Sequence, residues 1–191
     1  LMFLINPYAF AVAGGDFEPI ATVTVGSGGA ASITFSSIPT STYQHLQVRY
    51  LCRSVRANVR DDFFVRVGNA SIDTGNNYAY HNLQGGNGGT VGAGAASTTS
   101  RMYQYYISGG NLAANIFGVG VIDILDYAST TKTKVVRSFT GVDGNGDTNL
   151  SVAINSGLWN STSAIDQVRL YAANANLAQY STAALYGVKA P

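Results

Sequence analysis

A chain of 191 residues, 46% of them hydrophobic and 11% charged, is long enough for one domain with a sizeable core and short for two. Charged residues usually make up about 25% of a soluble protein, so this surface is polar without being ionic. With Lys and Arg at 11 against Asp and Glu at 10, no field collects nucleic acid or an anionic membrane.

The chain opens on LMFLINPYAFAVAGG. This stretch imitates a secretory signal, but it has no basic residue ahead of its apolar run and Asn6-Pro7 interrupts it. It is also too short to span a bilayer. The reading is an N-terminal arm over residues 1–15, separated from the body by Gly14-Gly15, with a β-sandwich domain over 16–191. Met2, Phe3, Leu4, Ile5, Pro7, Tyr8 and Phe10 are the arm's candidate partner-binding residues.

After the arm, period-two alternation predicts strands and almost no helix. EPIATVTV (18–25), GSGG and AASITFSS (30–37) read as a hairpin. YQHLQVRYLCRS (43–54) sets Leu46, Val48, Tyr50 and Cys52 on a buried face, with Gln47, Arg49 and Arg53 opposite. Cys52 is the lone cysteine, so an intrachain disulfide is excluded and the thiol reads as a small buried hydrophobe. Arg49, Arg53, Arg56 and Arg60, answered by Asp61 and Asp62, read as a solvated strand end and loop.

Further strands are expected at 61–68, 101–108, 115–127, 132–141, 149–154, 164–173 and 181–188, with turn clusters between them, including Asn155 to Ser163. A short helix in Ala173 to Gln179 is compatible with the pattern. Gly118 and Gly120 are expected to mark a bulge. The whole indicates an all-β antiparallel two-sheet sandwich of jelly-roll type.

The glycine-rich residues 83–100 lack both the dinucleotide spacing and the Gly-Lys-Ser/Thr of a phosphate loop, so they read as an extended loop of about sixteen residues, fixed against a neighbouring chain. DGNGDTN places Asp143, Asn145, Asp147 and Asn149 at alternate positions, like the first half of a calcium loop. The second half is missing, because Ile154 stands where a bidentate Glu belongs; Asp143, Asn145 and Asp147 remain weak metal candidates.

His45 and His81 read as structural, and no Gly-x-Ser-x-Gly elbow accompanies them. Asp123 is expected on an outer strand face, and Asp126 at a strand end accepting turn amides. A glycosidase role for this carboxylate pair is disfavoured, since Trp159 is the only tryptophan. No catalytic residue and no cofactor are expected. The twelve tyrosines suit packing, interfaces or sugar contact, with Tyr103 and Tyr105 on one face of their strand and Tyr106 on the other.

ASITFSSIPTSTYQHLQVRYLCRS, GNNYAYHNLQG, NIFGVGVIDILDYASTTKTKVVRS, SGLWNSTSAIDQVRLY and the closing ALYGV resemble small virion structural proteins of tailed bacteriophages, marine and cyanobacterial ones among them. FLINPYAFA is similar to the start of phage head-decoration and tail proteins. The resemblance spans nearly the whole chain. It implies a β-sandwich homotrimer without catalytic residues, set in the virion as a structural, cement or tail-fibre protein. In the first of two readings it is a capsid cement or decoration protein on the outer capsid surface, held to the major capsid protein by the arm. The alternative is a tail-fibre or receptor-binding component whose loops 83–100 and 141–149 touch host surface glycan. The absence of any coiled-coil, collagen-like or β-helical shaft favours cement.

Overall fold

Alternation in HLQVRYLC turns Leu46, Val48, Tyr50 and Cys52 to one side of the chain, and all four are buried; a strand patterned this way needs a second layer over that side. The computed structural model, which describes residues 16–86, 89–144, 146 and 150–189, shows that layer. In chain order the described strands are β1 (Phe17–Thr24), β2 (Ile33–Phe35), β3 (His45–Cys52), β4 (Arg60–Asn69), β5 (Ser71–Ile72), β6 (Tyr78–Gly86) and β7 (Val91–Thr99). They continue with β8 (Met102–Ser108), β9 (Gly118–Ile124), β10 (Lys134–Val142), β11 (Ser151–Trp159), β12 (Gln167–Ala172) and β13 (Thr182–Val188). Eight strands form one sheet in the order β1-β13-β3-β9-β10-β11-β6-β7; β2, β12, β4 and β5 form the second, with β8 paired to β4. The chain is an all-β, antiparallel two-sheet sandwich, the class its alternation predicts. Among the described residues no helix is long and apolar enough to cross a membrane, and 173–179 turns without forming a helix.

The core lies between the sheets, where Leu46, Val48, Ile122 and Ile124 of the large sheet belong to one cluster with Phe63, Val65, Val168 and Leu170 of the small one. Each such side chain stabilises the fold by about 1.5–3 kcal/mol relative to exposure. Cys52 sits in this layer, and burial pushes its thiol up to about 12. It is an inert hydrophobe, as expected.

Several expectations need correction. The β1–β2 hairpin does not form: β1 pairs with β13, and β2 pairs with β12 in the other sheet. Ala30 bridges Leu177, so the GSGG turn carries the chain from one sheet to the other. The glycine-rich stretch is mostly a hairpin rather than a loop, with β6 and β7 paired from Tyr78–Thr99 to Gly85–Val91. Two of its glycines make room for side chains of the partner strand. Gly92 and Gly94 stand opposite Gln84 and Asn82, whose amide groups lie 2.1 and 2.5 Å from where a Cβ would sit.

Gly118 and Gly120 mark close packing, not a bulge, since β9 pairs regularly with β3 and β10. The Tyr50 ring lies 2.4 Å from a Cβ built on Gly120, and the Ile107 backbone 2.8 Å from one on Gly118. Residues 155–159, expected in a turn, extend β11 to Trp159. A bulge does occur at Tyr105, whose φ of 67° shifts the β4–β8 register and brings Tyr103, Tyr105 and Tyr106 into one mutually contacting group instead of dividing them between faces.

Candidate functional site: two outer faces of opposite chemistry

The first outer face belongs to the eight-stranded sheet, and its polarity is inverted in the middle of β10 and β11. There the sheet buries Ser138, Thr140, Ala153 and Asn155 and turns Phe139, Val152 and Ile154 outward, Phe139 and Ile154 being 59% exposed. Cross-strand register aligns Val121, Phe139, Ile154 and Leu83 in one row. A parallel row contains Leu51, Val119, Gly141, Val152, Gly85 and Val91.

With Val135, nine large apolar side chains on this face are 36–76% exposed. Strands spaced about 4.8 Å apart make the longer row about 24 Å wide. Gly85 and Gly141 flank Val152 and leave hollows. One of about 240 Å³ lies between Leu83, Val91, Phe139 and Ile154, and another of about 620 Å³ opens beside Val119, Gly141 and Asp143. The rows end at a polar border of Gln47, Asp123, Arg137, Ser156 and His81.

Asp123 is outward, as expected, and accepts from Gln47 Nε2 at 2.9 Å and Arg137 Nε at 3.0 Å. Asp126 accepts from Lys132 Nζ at 2.6 Å and Gln44 Nε2 at 3.4 Å, not from turn amides. The Lys132 bond leads in holding the Asp126 carboxyl below the usual carboxylate range. Each acid is thus tied to a cation. Nothing here sets the pair up as acid and nucleophile.

The second outer face belongs to the five-stranded sheet. On β4 and β12 the register sets Arg66 directly opposite Arg169, and Phe64 opposite Tyr171. On the other side Phe64 faces Tyr103 and Val65 faces Met102, which brings Arg101 alongside Arg66. The result is a row of three arginines next to a row of three aromatic rings. Arg101 Cζ lies 4.3 Å over the Phe64 ring and Arg66 Cζ 5.1 Å over the Tyr171 ring. Further along, Arg60 lies 4.1 Å over Tyr106.

Asp62, the acid on this stretch of β4, accepts from the Tyr103 hydroxyl at 2.6 Å. Among the described residues no carboxylate forms an ion pair with Arg66, Arg101 or Arg169. Burial pushes the Tyr171 phenol up, against the pull of these same three arginines, and its enclosed hydroxyl has no protein partner.

The other candidates divide. Arg53 is not solvated: it is buried, and its guanidinium donates to the carbonyls of Gly110, Leu112, Ala113 and Ile116 at 2.7–3.0 Å, pinning the loop before β9. Arg56 pairs with buried Asp61 at 3.4 Å. His45 Nδ1 accepts the Asp126 N–H at 2.9 Å and lies 3.6 Å from the Asp126 carboxylate. His45 and His81 sit four strands apart, about 19 Å, and share no site. Trp159 is buried and donates from Nε1 to Asp73 at 2.7 Å, so its ring is not offered to a sugar.

Asp143 follows the end of β10. Asn145, Asp147 and Asn149 lie outside the described residues, and among those described no group of three or more His, Cys, Asp or Glu could hold a metal. The arm, with Met2, Phe3, Leu4, Ile5, Pro7, Tyr8 and Phe10, also lies outside the described residues.

Sequence reasoning missed both faces. The arginine row joins residues from positions 66, 101 and 169, which only the register brings together. A signal for the apolar face was present in KVVRSFTGV and SVAINSGLW, where Ser138, Thr140 and Asn155 alternate with Phe139 and Ile154. No protein-family model, no curated protein and no solved structure matches the chain.

Proposed function

We propose that the chain is a non-catalytic assembly subunit, a virion structural protein of the tailed-phage kind its sequence resembles, acting as a trimeric capsid cement or decoration protein. The observation that supports this is the inverted face of the large sheet. Typical monomers expose no apolar patch larger than about 300–600 Å². Nine side chains exposed by a third to three quarters reach or exceed that and approach the roughly 800 Å² that each partner of a stable pair buries. Sister subunits are the proposed cover, with the arm of residues 1–15 reaching the major capsid protein.

Sedimentation velocity at micromolar concentration tests this. The wild-type chain is expected to run as a trimer and the double variant Phe139→Glu, Ile154→Glu as a folded monomer. A wild-type monomer, or a variant that still trimerises, overturns the reading. Counting copies in purified particles separates cement, at hundreds per particle, from a tail component at few. The tail-fibre reading remains second, favoured by the arginine row.

A further inference from the structure

The geometry points to a second binding surface on the opposite side of the sandwich: the row Arg169, Arg66, Arg101 binds an acidic polysaccharide through its carboxylate or sulfate groups. The inference is independent of the assembly reading, because the two faces belong to different sheets.

Three observations lead to it. First, like charges directly opposite on neighbouring strands destabilise a sheet, yet Arg66 and Arg169 are direct partners and Arg101 continues the row. No described carboxylate lies within ion-pair distance of any of the three, and Asp73, which feels the charge of Arg66 at longer range, is already held by Trp159 and Asn77. A chain with a formal charge of only +1 concentrates cations here, and an external anion removes their repulsion.

Second, the guanidinium groups are braced. Arg66 donates to the Ser100 carbonyl at 2.8 Å and Arg169 to Thr34 Oγ1 at 3.2 Å. Arg66 and Arg101 stack on Tyr171 and Phe64. A planar guanidinium held on a ring presents its remaining N–H groups as a fork matched to carboxylate or sulfate oxygens, at little entropic cost on binding.

Third, the surroundings suit a sugar better than a nucleic acid. Phe64 is only 6% exposed and capped by Arg101, and Arg66 covers Tyr171, so the two rings beside the arginines are not bare platforms for the base stacking on which single-strand binders rely. Duplex binders neutralise about 6–10 phosphates, more than one row of three supplies. Thr34 and Gln167 flank the row with uncharged hydrogen-bonding groups, which fit hydroxyls.

The test measures binding of the full-length chain to dextran sulfate, polygalacturonate, neutral dextran and a single-stranded oligothymidylate by calorimetry at fixed salt. The triple variant Arg66→Gln, Arg101→Gln, Arg169→Gln is compared with a charge-matched control, Arg49→Gln, Lys132→Gln, Arg137→Gln. Loss of three charge-assisted contacts is expected to weaken the two acidic polysaccharides by about 100-fold, with the control within about twofold and neutral dextran silent. Circular dichroism checks the fold of each variant. Competition by inorganic sulfate at millimolar concentration supports recognition of the oxyanion itself. Equal losses in triple variant and control, binding of neutral dextran, or tighter binding of the oligothymidylate would each overturn the inference. Repeating the titration on the Phe139→Glu, Ile154→Glu variant separates the two readings, since binding there should survive loss of the oligomer.

Discussion

The two outer faces of this sandwich are built by the same alternation and end in opposite chemistry. On the large sheet, β10 and β11 turn Phe139, Val152 and Ile154 outward and leave Ser138 and Asn155 inside. On the small sheet, β4 and β12 bury Val65, Val67, Val168 and Leu170 and turn arginines and aromatic rings outward. Along Val65–Val67 and Val168–Leu170 the small sheet obeys the rule that apolar residues face the core. The large sheet breaks it for two strands, and a local violation of this kind marks a surface whose second layer comes from outside the chain.

The comparison is broken most severely in β11. Asn155→Asp places an unpaired charge in the interior, where Asn155 Nδ2 now meets Ser138 Oγ at 3.0 Å, and costs about 3 kcal/mol. Its neighbour Ile154→Asp is expected to change the stability of the monomer by less than about 0.5 kcal/mol. Urea unfolding of both variants, made in an uncharged Phe139→Gln background so that oligomerisation does not intrude and no carboxylate stands opposite position 154, decides the matter; the reverse order would turn the strand over.

Trp159, the single tryptophan, provides the next measurement. Burial alone would raise the Asp73 carboxyl, but hydrogen bonds from the Trp159 indole, the Asn77 amide and the Gly75 N–H outweigh it and leave its pKa below the ordinary value. A depressed folded pKa stabilises the fold above the unfolded value, and that stability disappears as pH falls through the folded one. Tryptophan emission is therefore expected to shift on acidification below the ordinary carboxylate range. In Asp73→Ala the transition should vanish, with a loss of about 1–2 kcal/mol at neutral pH from the unsatisfied indole N–H.

On the arginine face the expected sign is unusual. Arg169→Gln keeps a group able to reach Thr34 and removes one member of the repelling row, so the unliganded protein is expected to gain about 0.5 kcal/mol. Added salt should raise the melting temperature of the wild type more than that of the variant. Destabilisation by more than about 1 kcal/mol would mean the row is already neutralised. The smallest effect belongs to the arm. Deleting residues 1–13 is expected to leave the trimer and its melting temperature unchanged while abolishing attachment to the particle, and retained attachment rules the arm out as anchor.

Legibility in the sequence followed the range of the interactions. HLQVRYLC gave its buried face residue by residue, because a period of two is a local property that pairing does not alter. All ten anticipated strand regions hold strands; β5, β6 and β7 were not anticipated. β7 was hidden because its glycines look like loop residues until Asn82 and Gln84 are seen to occupy the space above them. The partners of β1 and β2 were misjudged because adjacency along the chain is only a tendency, and burial of Ile33 and Phe35 against the opposite sheet won.

By itself, then, the sequence determined the class of fold, the inert cysteine and the missing metal-rich and phosphate-loop motifs, since each follows from residue types and short spacings. Only the tertiary structure decided that Arg53 is buried, that β11 turns Val152 and Ile154 outward, and that Arg66, Arg101 and Arg169 stand in one row. Those outcomes depend on register between strands distant in the chain, and a shift of one residue in any of them would send every side chain to the other face.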